Sequence, residues 1–466
     1  MCSNSGSSNK PAITLDQRKG LGVPALRGDN ESGPLADRFA IPLSKFRIPG
    51  ITRRNAMVLN PIFLSCLLSV PWNISLEKVA PLLPIKQGSV QKVKDTASLK
   101  QVLESGIENA TVLVADGIYD IAEPIYIQRG RNIVLRGASN DPTKTVLRGR
   151  GFFEGKPDDD LLRIGKVENV TIAYLTFTEC RSYGIKVEAE NFPKDVHIYS
   201  CHFKNIGTRM IKGSTSQQGM AVGGSIRYCR FENTKIPPHE WLFEGDYITA
   251  IDMMALDGWQ ISDNFFKDIK GRNGGARGAV FIWVRSRNVT VERNAIVNCD
   301  RGISFGNPSG SSNYVPGQEH IRNSIIRNNF IVPGPDAGIE LWWADHIKVY
   351  NNTIWRDDAE GPGLRGGADE WKITHVDVVN NLVRGTNMLA GGVRLRSNLF
   401  FSDFPIDALD PHRTNLRLAP FSEKVVNKGT PLQEVVDDFE GRPRKATPDI
   451  GAVETMEGRS QIETNP

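Results

Sequence analysis

One motif recurs down this chain: a short alternating apolar strand, a tight polar corner, and a second short strand. It reads VTIAYLTF, VHIYSCHF, SIRYCRF, WQISDNFF, VTVERNAI, SIIRNNFI, IKVYNNTI, VDVVNNLV and finally SNLF. Aligned on the corner, one column holds Leu175, Cys201, Cys229, Asn264, Asn294, Asn329, Asn352, Asn381 and Asn398. Three residues earlier, a second column from Ile172 to Val378 is always Ile or Val. Intervals run mostly from 23 to 35 residues. A third signature follows several corners, a Gly that leads another alternating strand: GIKVEA (184–189), GAVFIWV (278–284), GISFGN (302–307), GIELWW (338–343) and GGVRLR (391–396).

A unit of three short strands cannot bury its apolar side alone. Stacked units bury Ile, Val and Phe on their counterparts as one continuous core. Asn suits the corner because it tolerates left-handed backbone and because stacked amides can hydrogen-bond each other. Cys201 and Cys229 stand in the same column, where small buried thiols would fill two places. The 44 Gly and 39% apolar content fit a turn-rich globular β protein.

This arrangement resembles the right-handed parallel β-helix of the pectin-lyase-like superfamily. It implies an all-β fold, one parallel β-helix solenoid over 88–454 with an N-terminal helical cap. ASLKQVLESGIENATVLVADGIYDIAEPIYIQRGRNIVLRG (97–137) is similar to the family's start, an amphipathic helix and then the first coil. DDFEGRPRKATPDIGAVE (437–454) resembles the close of many secreted bacterial members.

Ahead of this domain, residues 1–50 read as a disordered, Ser- and Gly-rich segment. Residues 51–72 pair Arg53 and Arg54 with an apolar run from Met57 to Val70, too short to span a bilayer. That is a secretory-signal pattern, of Sec or twin-arginine type, so the protein is expected to be secreted or periplasmic. No other segment reads as transmembrane, and 455–466 reads as a flexible tail. A net charge of +4 supports no nucleic-acid partner, yet does not repel an acidic polymer. The six Cys form no CxxC and no Cys/His metal spacing. A capped solenoid needs no partner, so a monomer is expected.

On such a solenoid the Gly-led strands and their flanking loops form a groove. With Ile185, Ile303 and Ile339 inward, alternation turns Lys186, Glu188, Ser304, Glu340 and Trp342 outward, with Phe281, Trp283, Arg394 and Arg396. Asp252, in YITAIDMMA (247–255), is placed at the surface. Two insertions, 232–246 and 306–320, are long enough to wall a groove. Trp283, Trp342 and Trp343 could stack on sugar rings, Arg277, Arg285, Arg287 and Arg301 could meet carboxylates or sulfates, and Arg394 is a further substrate-binding candidate.

The resemblance implies a polysaccharide lyase that cleaves an acidic, uronate-containing polysaccharide by β-elimination. A cation neutralises the uronate carboxylate, a base removes the C5 proton, and an acid protonates the leaving oxygen. Candidates for these roles are His239, Lys186, Lys212, Arg285 and Arg301. Glu340, Asp252 and Asp345 are the candidates for a Ca²⁺ ion.

The chain departs from the family's motifs. Where the alginate-lyase and chondroitinase-B family has an "SVKS"-like segment and then an "LRHG"-like one, it reads FIWVRS (281–286) and ISFGNP (303–308). The pectate-lyase calcium cluster and the polygalacturonase motifs are absent, and DPHR (410–413) is a partial echo of the epimerase "DPHD". Two other readings therefore stand: a non-catalytic polysaccharide-binding or cell-surface β-helix module, and a glycoside hydrolase or epimerase.

Overall fold

A computed structural model describes residues 76–84, 88–216, 218–308, 319–368, 371–402, 408–410, 415–418 and 423–455. The chain divides into Met1–Trp72 and Asn73–Pro466, and the structure below is that of the second unit. The segments expected at 1–50 and 51–72, nearly all of the tail, most of loop 306–320 and most of DPHR lie outside the described residues.

The repeat becomes a parallel solenoid with three faces per rung. Face 1 stacks the strands that follow the second loop, among them Tyr183–Glu188, Arg209–Ser214, Thr249–Met254, Gly278–Trp283, Ile303–Phe305, Ile339–Leu341 and Pro362–Gly366. Face 2 stacks the strands before the corner, such as Lys194–Tyr199, Leu256–Ser262 and Ala344–Tyr350. Face 3 is the 11-stranded sheet after the corner. Faces 1 and 2 count as one 22-stranded sheet because Ile125–Gly137 and Leu162–Ala173 run through both unbroken.

Register follows the apolar columns. On face 1 Ile185, Ile211, Ile251, Val280, Ile303, Ile339 and Leu364 pair in succession, all fully buried. On face 3 the rings of Phe177, Phe203, Phe231 and Phe266 stack at 5.1, 4.9 and 4.7 Å between centroids. Aromatic pairs of this kind contribute about 0.5–1.5 kcal/mol each beyond area burial. The described secondary structure includes one α-helix, Thr96–Glu104, N-capped by Asp95, whose carboxylate accepts from the Ser98 N–H at 2.7 Å. It buries Leu99 and Leu103 in the same core as the strands.

The corner column is a hydrogen-bonded ladder. Nδ2 of Asn264, Asn294, Asn329, Asn352 and Asn381 each donates to Oδ1 of the next rung's Asn at 2.9 or 3.0 Å, ending on Asn398. The same oxygen takes the backbone N–H of the rung before, at 2.9 to 3.1 Å. Cys201 and Cys229 are free and buried, and the Cys201 N–H points at the Cys229 sulfur at 3.5 Å.

One expectation is corrected here. The left-handed residue is not the ladder Asn but the one before it: Asp263, Arg293, Asn328, Asn351 and Asn380 have φ between 51° and 60°. Their outward side chains serve the terminal segments. Asn328 donates to the Asp437 carbonyl and Asn380 to that of Thr430, both at 2.8 Å. The closing motif thus runs along the outside of the corner, with Arg444 buried there on Asn328 Oδ1 and Glu454 at 2.7 Å each.

A second left-handed column marks the start of the face 2 strands. Asn109, Asn132, Asn169, Asp195, Gly223, Gly258, Asn288, Asn323, His346 and His375 have φ from 49° to 73° and occupy one register position. These are residue types that tolerate this conformation.

Candidate functional site

The outward row of face 1 is Arg163, Lys186, Lys212, Asp252, Phe281, Ser304, Glu340 and Arg365, one residue per rung in unbroken register. Alternation set Lys186, Phe281, Ser304 and Glu340 in one outward row, but its corollary, exposure, fails for the middle of that row. Lys212, Asp252, Phe281, Ser304 and Glu340 are all buried.

Two charge clusters account for this. In the first, Asp252 accepts from Arg209 Nε at 2.5 Å, Lys212 Nζ at 2.9 Å and Trp283 Nε1 at 3.0 Å. The Arg209 guanidinium lies 3.3 Å from the centroid of the Tyr247 ring. Burial pushes the Asp252 carboxyl up, but Lys212 and then Arg209 outweigh it and hold it below its ordinary value. In the second, Glu340 accepts from Ser304 Oγ at 2.7 Å and Arg365 at 2.6 Å, and ion-pairs with Arg301 at 2.8 Å. Asp336 bridges the same two arginines, meeting Arg365 at 2.7 Å.

Arg277 stands between them. It immediately precedes the Gly278–Trp283 strand, with its guanidinium 5.9 Å from the centroid of the Phe281 ring. Gly278 is required beside it: φ is +95°, and a Cβ would come 2.4 Å from the Arg301 carbonyl oxygen. The Arg277 guanidinium is partly buried and, among the described residues, forms no ion pair or side-chain hydrogen bond. Burial, then Arg301 and Arg209, pull its pKa below the usual guanidinium value. The carboxylates within its field, Glu340 and Asp252, are each already held by two cations. An unpaired guanidinium in such surroundings is a site for an incoming anion.

On the Tyr183–Glu188 strand, Tyr183 and Lys186 remain partly exposed. Burial, then Tyr247, pushes the Tyr183 hydroxyl up to about 12, so it keeps its proton at neutral pH.

The other predicted residues disperse. Trp283 and Trp342 are buried and Trp343 partly buried, so the first two are no open platforms for sugar. Trp283 stacks on Phe281 at 5.2 Å, and Trp342 meets Trp371 edge-on at 5.6 Å. Arg285 lies where face 1 turns into face 2. It donates to the Ser216 and Gly219 carbonyls at 2.7 and 3.1 Å and lines a cavity of about 290 Å³ with Arg287 and Arg322. His239 stays on the insertion, 67% exposed, with Glu244 3.8 Å away. Arg394 is on face 2, not face 1: Val393–Arg396 pairs with Val376–Val379, and Arg394 and Arg396 face Asp377. The Gly pair of GGVRLR follows the face 1 strand Thr386–Leu389 instead of leading one.

The three carboxylates named for calcium do not form its shell. Calcium wants six to eight oxygens, whereas Asp252 and Glu340 each spend theirs on two cations and Asp345 meets His346 and His375.

Residues 162–354 match the family model described as "Right handed beta helix region". Among solved structures, a crystal structure of pectate lyase Pel9A aligns with a TM-score of 0.51 at 12% identity, covering 79% of this chain and 97% of that one. The solenoid has the right-handed β-helix fold. A rhamnogalacturonan lyase aligns at 10% identity and a TM-score of 0.49, covering 72% of this chain and 96% of its own. A mannuronic acid specific family 6 polysaccharide lyase from human gut microbiota aligns at 18% and 0.44, covering 67% and 81%. No curated protein sequence matches the chain. Identities this low establish the β-helix fold alone. None of the described helices is long and apolar enough to cross a membrane.

Proposed function

We propose that this β-helix acts outside the cytoplasm as a monomeric polysaccharide lyase, cleaving an acidic, uronate-containing polysaccharide along face 1. The observation that carries the reading is Arg277, a partly buried guanidinium without a counter-ion among the described residues, between arginines that already have theirs. A uronate carboxylate seated on Arg277 loses its negative charge, which acidifies the neighbouring C5 proton. A base takes that proton, the C4–C5 double bond forms, the C4–O bond breaks, and an acid returns a proton to the leaving oxygen; Lys186 and Tyr183, three rungs from the Arg277 strand, are too far away to be that pair. Asp252 and Glu340 are themselves neutralised by cations, so the reading assigns charge neutralisation to Arg277 rather than to calcium. Similarity to lyases of pectate and rhamnogalacturonan agrees with this substrate class.

The test is to incubate the full chain with alginate, pectate, chondroitin sulfate and ulvan, with and without calcium, and follow absorbance of the unsaturated uronate. Growth on one polymer that is lost in Arg277→Ala, at unchanged melting temperature, supports the lyase. Calcium-dependent growth unaffected by Arg277→Ala overturns the assignment. The non-catalytic reading is favoured by one observation, that Lys212 and Arg301 are already neutralised. Binding to a polymer that Arg277→Ala abolishes, without absorbance growth, would establish that reading instead.

A further inference from the structure

The last two residues of the left-handed column on face 2 are His346 and His375, on successive rungs. Their rings stack with centroids 4.3 Å apart and 24° between planes. The Asp345 carboxylate faces both: Oδ2 is 2.7 Å from His346 Nδ1, and Oδ1 is 2.8 Å from His375 Nδ1. Thr374, in register with Asp345, donates its hydroxyl to Oδ1 at 2.5 Å. A donor atom from each of the three residues lies within 4.8 Å of the others. Both rings are more than half exposed, so the group is open to solvent.

We propose that Asp345, His346 and His375 bind a divalent transition-metal ion, in a site separate from the face 1 cluster. Backbone geometry alone does not call for histidine here. The column asks only for a residue that accepts left-handed φ, and Asn supplies that on the two preceding rungs, at Asn288 and Asn323. Asn also supplies a ladder of its own, with Asn132 and Asn169 each donating to the previous rung's amide at 2.8 Å. Two stacked imidazoles add something different, a pair of borderline donors held against one carboxylate.

Protonating both rings would set two like charges face to face. A metal held by both Nδ1 atoms puts its charge between the rings, where Asp345 offsets part of it, and each neutral imidazole then carries its one N–H on Nε2. Two imidazoles and one carboxylate suit Zn²⁺, Ni²⁺ or Cu²⁺, whereas Ca²⁺ and Mg²⁺ prefer all-oxygen shells. Thr374 then acts as the outer-shell group that fixes the carboxylate. Three protein ligands leave a coordination position for water.

The experiment is calorimetric titration of the full chain with Zn²⁺, and with Ca²⁺ in parallel. One equivalent of Zn²⁺ is expected, weakened at least ~10-fold in His346→Asn and in His375→Asn and roughly 10-fold in Thr374→Val. Asn is the column's own commonest residue, so the melting temperature without metal should not move. Absence of Zn²⁺ binding, Zn²⁺ affinity unchanged in the double His→Asn variant, or equal affinity for Ca²⁺ would each overturn the proposal.

Discussion

Trp283 donates its indole N–H to Asp252 across one rung of face 1, at 3.0 Å. That bond places an aromatic ring over a carboxylate already clamped by Arg209 and Lys212. Face 1 therefore presents a neutralised, largely desolvated floor in its middle rungs, beside which Arg277 is a cation with no ion pair among the described residues.

Removing the carboxylate leaves two buried cations without compensation. Asp252→Ala is expected to cost about 3–5 kcal/mol, read as a shifted urea midpoint at unchanged slope. Replacing Arg209, Lys212 and Asp252 together with apolar residues should cost less than Asp252→Ala alone, because it strands no charge.

The ladder carries a comparable penalty. Asn329→Ala deprives Asn294 of the acceptor for both its backbone N–H and its Nδ2, each at 3.0 Å. Two buried donors left unsatisfied should cost roughly 2–5 kcal/mol in equilibrium denaturation. Asn329→Cys should cost less, since Cys201 and Cys229 show that a thiol can occupy the column.

His320 predicts the acid limb of the stability curve. Its Nδ1 accepts the Asn307 N–H at 3.0 Å, and its ring meets Trp283 edge-on at 5.7 Å. Burial pushes its pKa down to about 4. The folded state thus binds a proton less readily than the unfolded chain, whose His titrates near ~6.5. The stability contribution is present above that value and drains away as pH falls towards 4. In His320→Gln, which keeps a hydrogen-bond acceptor, the melting temperature should change less between those two pH values. An unaltered slope would refute the assignment.

Much of this molecule is written in its repeat. Ile172 to Val378, the Asn column and the Phe stack each specify one position per rung, and rungs differ mainly in loop length. Stacking identical positions is a local rule applied many times, so a linear pattern suffices to determine it. It even determined that two cysteines would sit in a ladder of amides. The Asn–Val, Asp–Val and His–Ile steps before the face 2 strands mark the left-handed column in the sequence as well, less plainly than the corner because Gly223 and Gly258 interrupt them.

The site was decided by the tertiary structure. Alternation turns Lys212, Asp252, Ser304 and Glu340 outward, yet whether an outward residue meets solvent depends on what the loops lay over it. Arg301 finds Asp336 and Glu340, while Arg209 finds Asp252 from 43 residues away. Arg277, of the same residue type in the same strand context, finds none among the described residues. Ion pairing of this kind is set by where irregular loops deliver each charge in three dimensions, and no periodicity encodes it. The same physics brought His375 and Thr374 to Asp345 and its neighbour His346, because rung stacking joins residues 29 or 30 apart in this part of the chain.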